Sequence, residues 1–178
     1  AALTSIGTNL YALGGNNTKL FGKYDTTNGT WTGLSSAPDT TTSGGALTND
    51  GTYVYATREE NTSEFWKYNP GNDTWSVIKD VPATAGAATV NTARGSLAYT
   101  ATGPSGGPEI YYSSGNSSTD LIGSLFRYKI STNTWPIYSA VPAAPNTFNY
   151  GASISNPSGS DIVYALRGVG TGTFWKYL

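Results

Sequence analysis

Short runs of alternating large and polar residues recur along the chain at a regular spacing. NLYAL (9–13), YVYAT (53–57), EIYYS (109–113) and IVYAL (162–166) alternate as half-buried strands do. A small, apolar strand is predicted before each, near 1–5, 45–49, 95–100 and 151–155. A polar loop and a third strand follow: LFGKY (20–24), EFWKY (64–68), LFRYK (125–129) and TFWKY (173–177). The turns DTTNGT, NPGNDT and ISTNT then place Asn or Gly where the backbone needs positive φ. A fourth strand opens on Trp31, Trp75 or Trp135, and AP or VP at 37–38, 81–82 and 141–142 ends each unit, because Pro cannot donate to a ladder.

These elements belong to a repeat. A shift of 44 residues lays Ala1–Pro38 on Gly45–Pro82 without a gap, with 16 of the 38 positions identical. The repeats read as 1–38, 45–82, 94–142 and 151–178, the last one stopping on its third strand. In FWKY, Phe65 and Lys67 point to one side while Trp66 and Tyr68 point to the other. Aromatic rings on both sides predict a strand sandwiched between two neighbouring units, with Trp31, Trp75 and Trp135 filling the gaps between units.

LYALGG (10–15), Tyr24 and Trp31 make the first unit resemble a kelch repeat. The later units depart from it, with Thr57-Arg58, Ser113-Ser114 and Arg167-Gly168 where that family has Gly-Gly. The resemblance implies an all-β, four-bladed or partial β-propeller of four-stranded antiparallel blades, a single domain over 1–178 with an incomplete last blade. It implies a fold and no particular activity.

Composition narrows the function. Acidic and basic side chains make up 12% of the chain, net charge is −1, and no Lys/Arg cluster forms the basic face that a nucleic acid would need. No run approaches the roughly 20 apolar residues of a membrane span. Richness in Thr, Ser and Asn suits an extracellular or cell-surface location. Without Met, the chain reads as a mature product, an excised fragment or a trimmed sequence.

There is no His and no Cys, which removes His-based triads and most zinc and copper sites. The kelch-like propellers of copper radical oxidases resembling galactose oxidase need both residues, so that activity does not carry over. Glu59-Glu60, the adjacent acidic pair, lies in a loop, and GPSGGP (103–108) lacks the Lys and helix of a phosphate loop. No catalytic residue, metal or cofactor is expected.

Asn16, Asn28, Asn61, Asn72 and Asn116 head N-x-Ser/Thr triplets, all in polar hairpin loops, and are the glycosylation candidates. A ligand would meet the loops. The face formed by 36–44, 83–93 and 143–149, with Arg58 and the insertions 101–109 and 113–123, is the expected ligand face, and Arg94 and Arg167 are expected to approach the central channel. The expected function is a non-catalytic binding or scaffold module for a protein or glycan. Two alternatives are a self-assembling surface fibril subunit, whose open last blade a neighbouring copy completes by strand addition, and the propeller portion of a larger carbohydrate-active enzyme. Either the chain continues past Leu178 or its last blade keeps an open edge.

Overall fold

The computed structural model describes residues 1–42, 45–58, 62–82, 84–85, 88–89, 95–113, 125–136, 152–157, 160–166, 168 and 172–177. It is all-β, with four antiparallel sheets of three or four strands. The helical residues described are a single 3-10 turn, Ile130–Thr132. The chain divides into two compact units, Ala1–Asp80 and Val81–Leu178.

The first unit holds two four-stranded sheets. In the first, β1 (Ala2–Ile6), β2 (Asn9–Leu13), β3 (Phe21–Asp25) and β4 (Thr30–Gly33) pair in sequence order. In the second, β5 (Leu47–Asn49), β6 (Val54–Thr57), β7 (Phe65–Asn69) and β8 (Thr74–Val77) do the same. Registers match: Tyr24 faces Trp31 across the first sheet, and Tyr68 faces Trp75 across the second. Tyr11, Leu13 and Phe21 of the first sheet pack with Leu47, Val54, Ala56, Trp66 and Tyr68 of the second, forming one buried core.

The second unit opens with a two-residue pair, β9 (Thr84–Ala85) and β10 (Ala88–Thr89), within the 83–93 link. The third sheet follows, with β11 (Ser96–Gly103), β12 (Gly107–Ser113) and β13 (Leu125–Lys129). The fourth sheet comprises β14 (Ser153–Ser155), β15 (Val163–Leu166) and β16 (Phe174–Tyr177). Ala98, Tyr111 and Leu125 of the third sheet bury against Ile154, Val163 and Ala165 of the fourth.

Two glycines are needed where one sheet edge tightens. A Cβ on Gly45 would lie 2.0 Å from the Thr57 carbonyl oxygen, and one on Gly95 would lie 2.6 Å from that of Ser113. Both are far inside contact distance, so only glycine lets the first strand start there.

Three expectations are corrected. Trp31 does not fill a gap between units: it is 62% exposed, its ring touching Tyr24 on its own sheet. In the second turn the positive-φ residue is Asp73 (φ 53), rather than Gly71 or Asn72. Residues 101–109 form the long β11–β12 hairpin, which puts them at the opposite end of their sheet from the β12–β13 connection and off the expected ligand face.

Candidate functional site

The sheets carry two kinds of aromatic face, both present on the first and second sheets, and the period of 2 along a strand separates them. One is a Tyr–Phe face: Tyr11/Phe21, Tyr55/Phe65 and Tyr164/Phe174 stack with centroids 6.1, 6.1 and 5.3 Å apart and interplanar angles of 22°, 28° and 14°. The other is a Tyr–Trp face: Tyr24/Trp31, Tyr68/Trp75 and Tyr128/Trp135 tilt at 47°, 49° and 51° with centroids 5.2, 5.1 and 5.1 Å apart. In the first unit, one face of each kind meets. Phe21 points its ring edge-on at Tyr68 and Trp75, both at 4.8 Å.

Polar bonds fix this seam. The Trp75 indole N–H donates to the Ser35 carbonyl at 3.0 Å, and the Ser35 backbone N–H donates to the Asp73 carboxylate at 2.9 Å. The same carboxylate accepts the Tyr68 hydroxyl at 2.7 Å. These bonds hold the Asp73 carboxyl below its usual range, the Ser35 N–H first and the Tyr68 hydroxyl second. Burial, then the Asp73 bond, pushes the Tyr68 phenol up. In the third sheet, Tyr128 makes the equivalent bond to Asn133 at 2.7 Å, and burial raises its phenol to about 12.

At the loop end, the structure brings together part of the expected ligand face. Arg58, just past β6, reaches back to the 36–42 link. Its guanidinium sits 2.9 Å from Asp39 and 2.6 Å from Glu64, and donates to the Thr40 carbonyl at 3.0 Å. Lys19 lies 3.7 Å from Asp39 and donates to the Pro38 carbonyl at 2.9 Å. The Thr40 N–H, then Arg58 and Lys19, lower the Asp39 pKa. Arg58 is therefore an internal tie, and the outward groups of this patch are Lys19 and Asp39. Arg94 and Arg167 lie outside the described residues.

Asn16, Asn28 and Asn72 are exposed, while Asn61 and Asn116 lie outside the described residues. Asn16 has φ 55. The Asn28 amide donates to Asp25 at 2.7 Å, whereas the Asn72 side-chain oxygen accepts from the Thr74 hydroxyl at 2.7 Å.

The sequence reading passed over Glu109, which is wholly buried and has Arg127 3.6 Å away. It stands where the second repeat has Tyr53, and that exchange was the available signal. Burial, then the Glu109 charge, raises the neighbouring Tyr111 phenol. Glu109 is the buried member of this pair, and the partly buried Arg127 is the cation beside it. Among the described residues, no cluster of three or more potential ligand side chains could hold a metal ion. Among them, too, no helix is long and apolar enough to cross a membrane.

No protein-family profile and no curated protein sequence matches the chain. The fold has solved counterparts. The chain is similar to the structure of YjhT, with a TM-score of 0.63 and 15% identity over 93% of this chain and 56% of that one. At that identity the likeness is one of fold. The chain spans little more than half the length of that protein.

Proposed function

We propose that the four sheets are consecutive blades of a partial β-propeller of the kelch type, and that it serves outside the cell or at the cell surface as a non-catalytic binding or scaffold module. The observation that carries this reading is the aromatic seam between neighbouring sheets, built from ring pairs that recur along the chain. In the first unit a Tyr–Phe face packs on the Tyr–Trp face of the next sheet, and each kind of ring pair keeps nearly the same geometry in three of the four sheets. Radial stacking of four-stranded units is how propellers bury both faces of every sheet. Most of the large aromatic side chains within the seam are thus engaged as core, and a soluble ligand would meet the loops. The charged patch of Lys19, Asp39, Arg58 and Glu64 at the loop end suits a polar protein or glycan surface. Exposed Asn16, Asn28 and Asn72 stand as glycan attachment points in a glycosylating host.

The test is a binding screen of the purified chain against extracellular glycans and proteins, run beside assays for glycan hydrolysis and oxidation. Binding without turnover is expected, weakened by the double change Lys19→Ala and Asp39→Ala and unmoved by changes in the β3–β4 turn. Turnover of any glycan, or a ligand footprint confined to that turn, would overturn the reading.

A further inference from the structure

The fourth sheet repeats, residue for residue, a face that the first sheet has already docked. Tyr164, Leu166, Phe174 and Lys176 stand where Tyr11, Leu13, Phe21 and Lys23 stand. The registers agree: Leu13 pairs with Phe21 and Tyr11 with Lys23, just as Leu166 pairs with Phe174 and Tyr164 with Lys176. In the first sheet this face is covered by Tyr68 and Trp75. In the fourth sheet it is bare, with Phe174 57% exposed and Leu166 48%.

The complementary surface is bare as well. On the first sheet, Tyr24 and Trp31 hold the geometry of Tyr68 and Trp75, and Trp31, Leu3 and Leu20 are exposed. Where the second sheet has Trp66 and Val77, the first has Gly22 and Gly33. The missing bulk leaves an apolar groove lined by Ala1, Ala12, Leu20, Gly22, Trp31 and Gly33. Exposed large apolar side chains gathered on one face mark an interaction surface.

We propose that the Tyr–Phe face of the fourth sheet docks on the Tyr–Trp face of the first sheet of a second copy of the chain. Phe174 of one copy then meets Tyr24 and Trp31 of the other, as Phe21 meets Tyr68 and Trp75 within one chain. The occupant is a second copy because the chain leaves both halves of this contact bare: a Tyr–Phe face with the same four residues as the docked face of the first sheet, and a Tyr–Trp face with the geometry of Tyr68 and Trp75. The contact is sheet face on sheet face, and it does not add a strand to the edge of β16. It is head-to-tail, so it yields a closed ring when the rotation closes and a filament when it does not.

The experiment is sedimentation of the full chain over about a hundredfold range of concentration, which mass action requires for an association. The wild type is expected to grow in mass with concentration. Trp31→Lys and Phe174→Lys, both at exposed positions, should each weaken association by about thirtyfold or more, the scale of a lost hot spot. Mixed together, the two variants should form a 1:1 dimer that grows no further, since each keeps one intact face. Native circular dichroism spectra for both variants keep a loss of association from being a loss of fold. A wild type that stays monomeric overturns the proposal, whether Trp31 is open to quencher or shielded by its own chain. So does association that survives both face variants and is lost in Lys176→Pro, which assigns it to the β16 edge.

Discussion

The Tyr–Trp pairs of the first and second sheets have almost the same internal geometry, 5.2 Å and 47° against 5.1 Å and 49°. Their surroundings differ. Trp75 is partly buried, ringed by Phe21, Trp66 and Tyr68, and bonded to Ser35. Trp31 touches Tyr24, borders the Gly22 groove and is 62% exposed. The pair is thus a local product of the β3–β4 or β7–β8 hairpin, formed before any neighbour arrives. What a neighbour adds is burial of the ring and a partner for its N–H.

The largest test of that difference is Trp75→Ala, which should destabilise the first unit by about 3 kcal/mol, the low end for a large aromatic because Trp75 keeps some exposure. Denaturant melts followed by circular dichroism read this directly. An unmoved midpoint would mean that the seam rests on other contacts.

Alkali should act next, through the Tyr–Trp face of the third sheet. The Tyr128 phenol is held neutral by burial and titrates near 12, above the usual value of about 10. A raised folded pKa contributes stability that is complete below pH ~10 and is lost as pH climbs through about 12. Tyr128→Phe should flatten that alkaline limb in melts taken across the interval.

Acid should act on the seam through Asp73, whose folded pKa is lowered by Ser35 and Tyr68. Its contribution is present above the unfolded value of about 3.9 and is lost as pH falls through the folded one. Asp73→Asn should leave less stability to lose below pH ~4. An acid limb identical to the wild type would remove Asp73 from the account.

At the bottom of the scale, Trp31→Ala should change stability by no more than about 0.5 kcal/mol, as surface substitutions do. Measured on dilute, unassociated chain, a cost comparable to that of Trp75→Ala would show Trp31 covered by its own chain and erase the contrast. The two matched turns offer a finer contrast. The Asn28 amide is held by Asp25, while the Asn72 amide carries no such bond to its turn's first residue. Expressed in a glycosylating host, Asn72 should be modified more fully than Asn28, and Asp25→Ala should narrow the gap in peptide mapping.

Much of the fold was legible because each strand advertises itself by alternation and each repeat by its rings. The split of Phe65 and Lys67 from Trp66 and Tyr68 predicted burial on both faces of β7, and Phe65, Trp66 and Tyr68 are buried. The identical FWKY at 174–177 leaves Phe174 exposed, because burial belongs to the neighbour and the strand sequence is silent about it. Asp73 was missed for a related reason. Gly29 and Asn133 fill the equivalent left-handed position as familiar turn residues, and only the Ser35 bond reveals why an acid stands there. Of the expected ligand face, Arg58 and the 36–42 link do come together, yet the guanidinium is spent on Asp39 and Glu64. Loop chemistry depends on which distant acids converge, and no periodicity records that.

Every ladder in the four sheets joins strands adjacent in sequence. Closing a short loop costs little chain entropy, so each sheet can form its hydrogen bonds early, and only the seam waits for residues some 44 positions later. During synthesis, a nascent chain that has cleared Gly33 already holds everything the first ladder needs. The rings that will join it to the next sheet stay uncovered until Trp75 emerges. During that interval the growing polypeptide is open to mispairing with a neighbour on the same message.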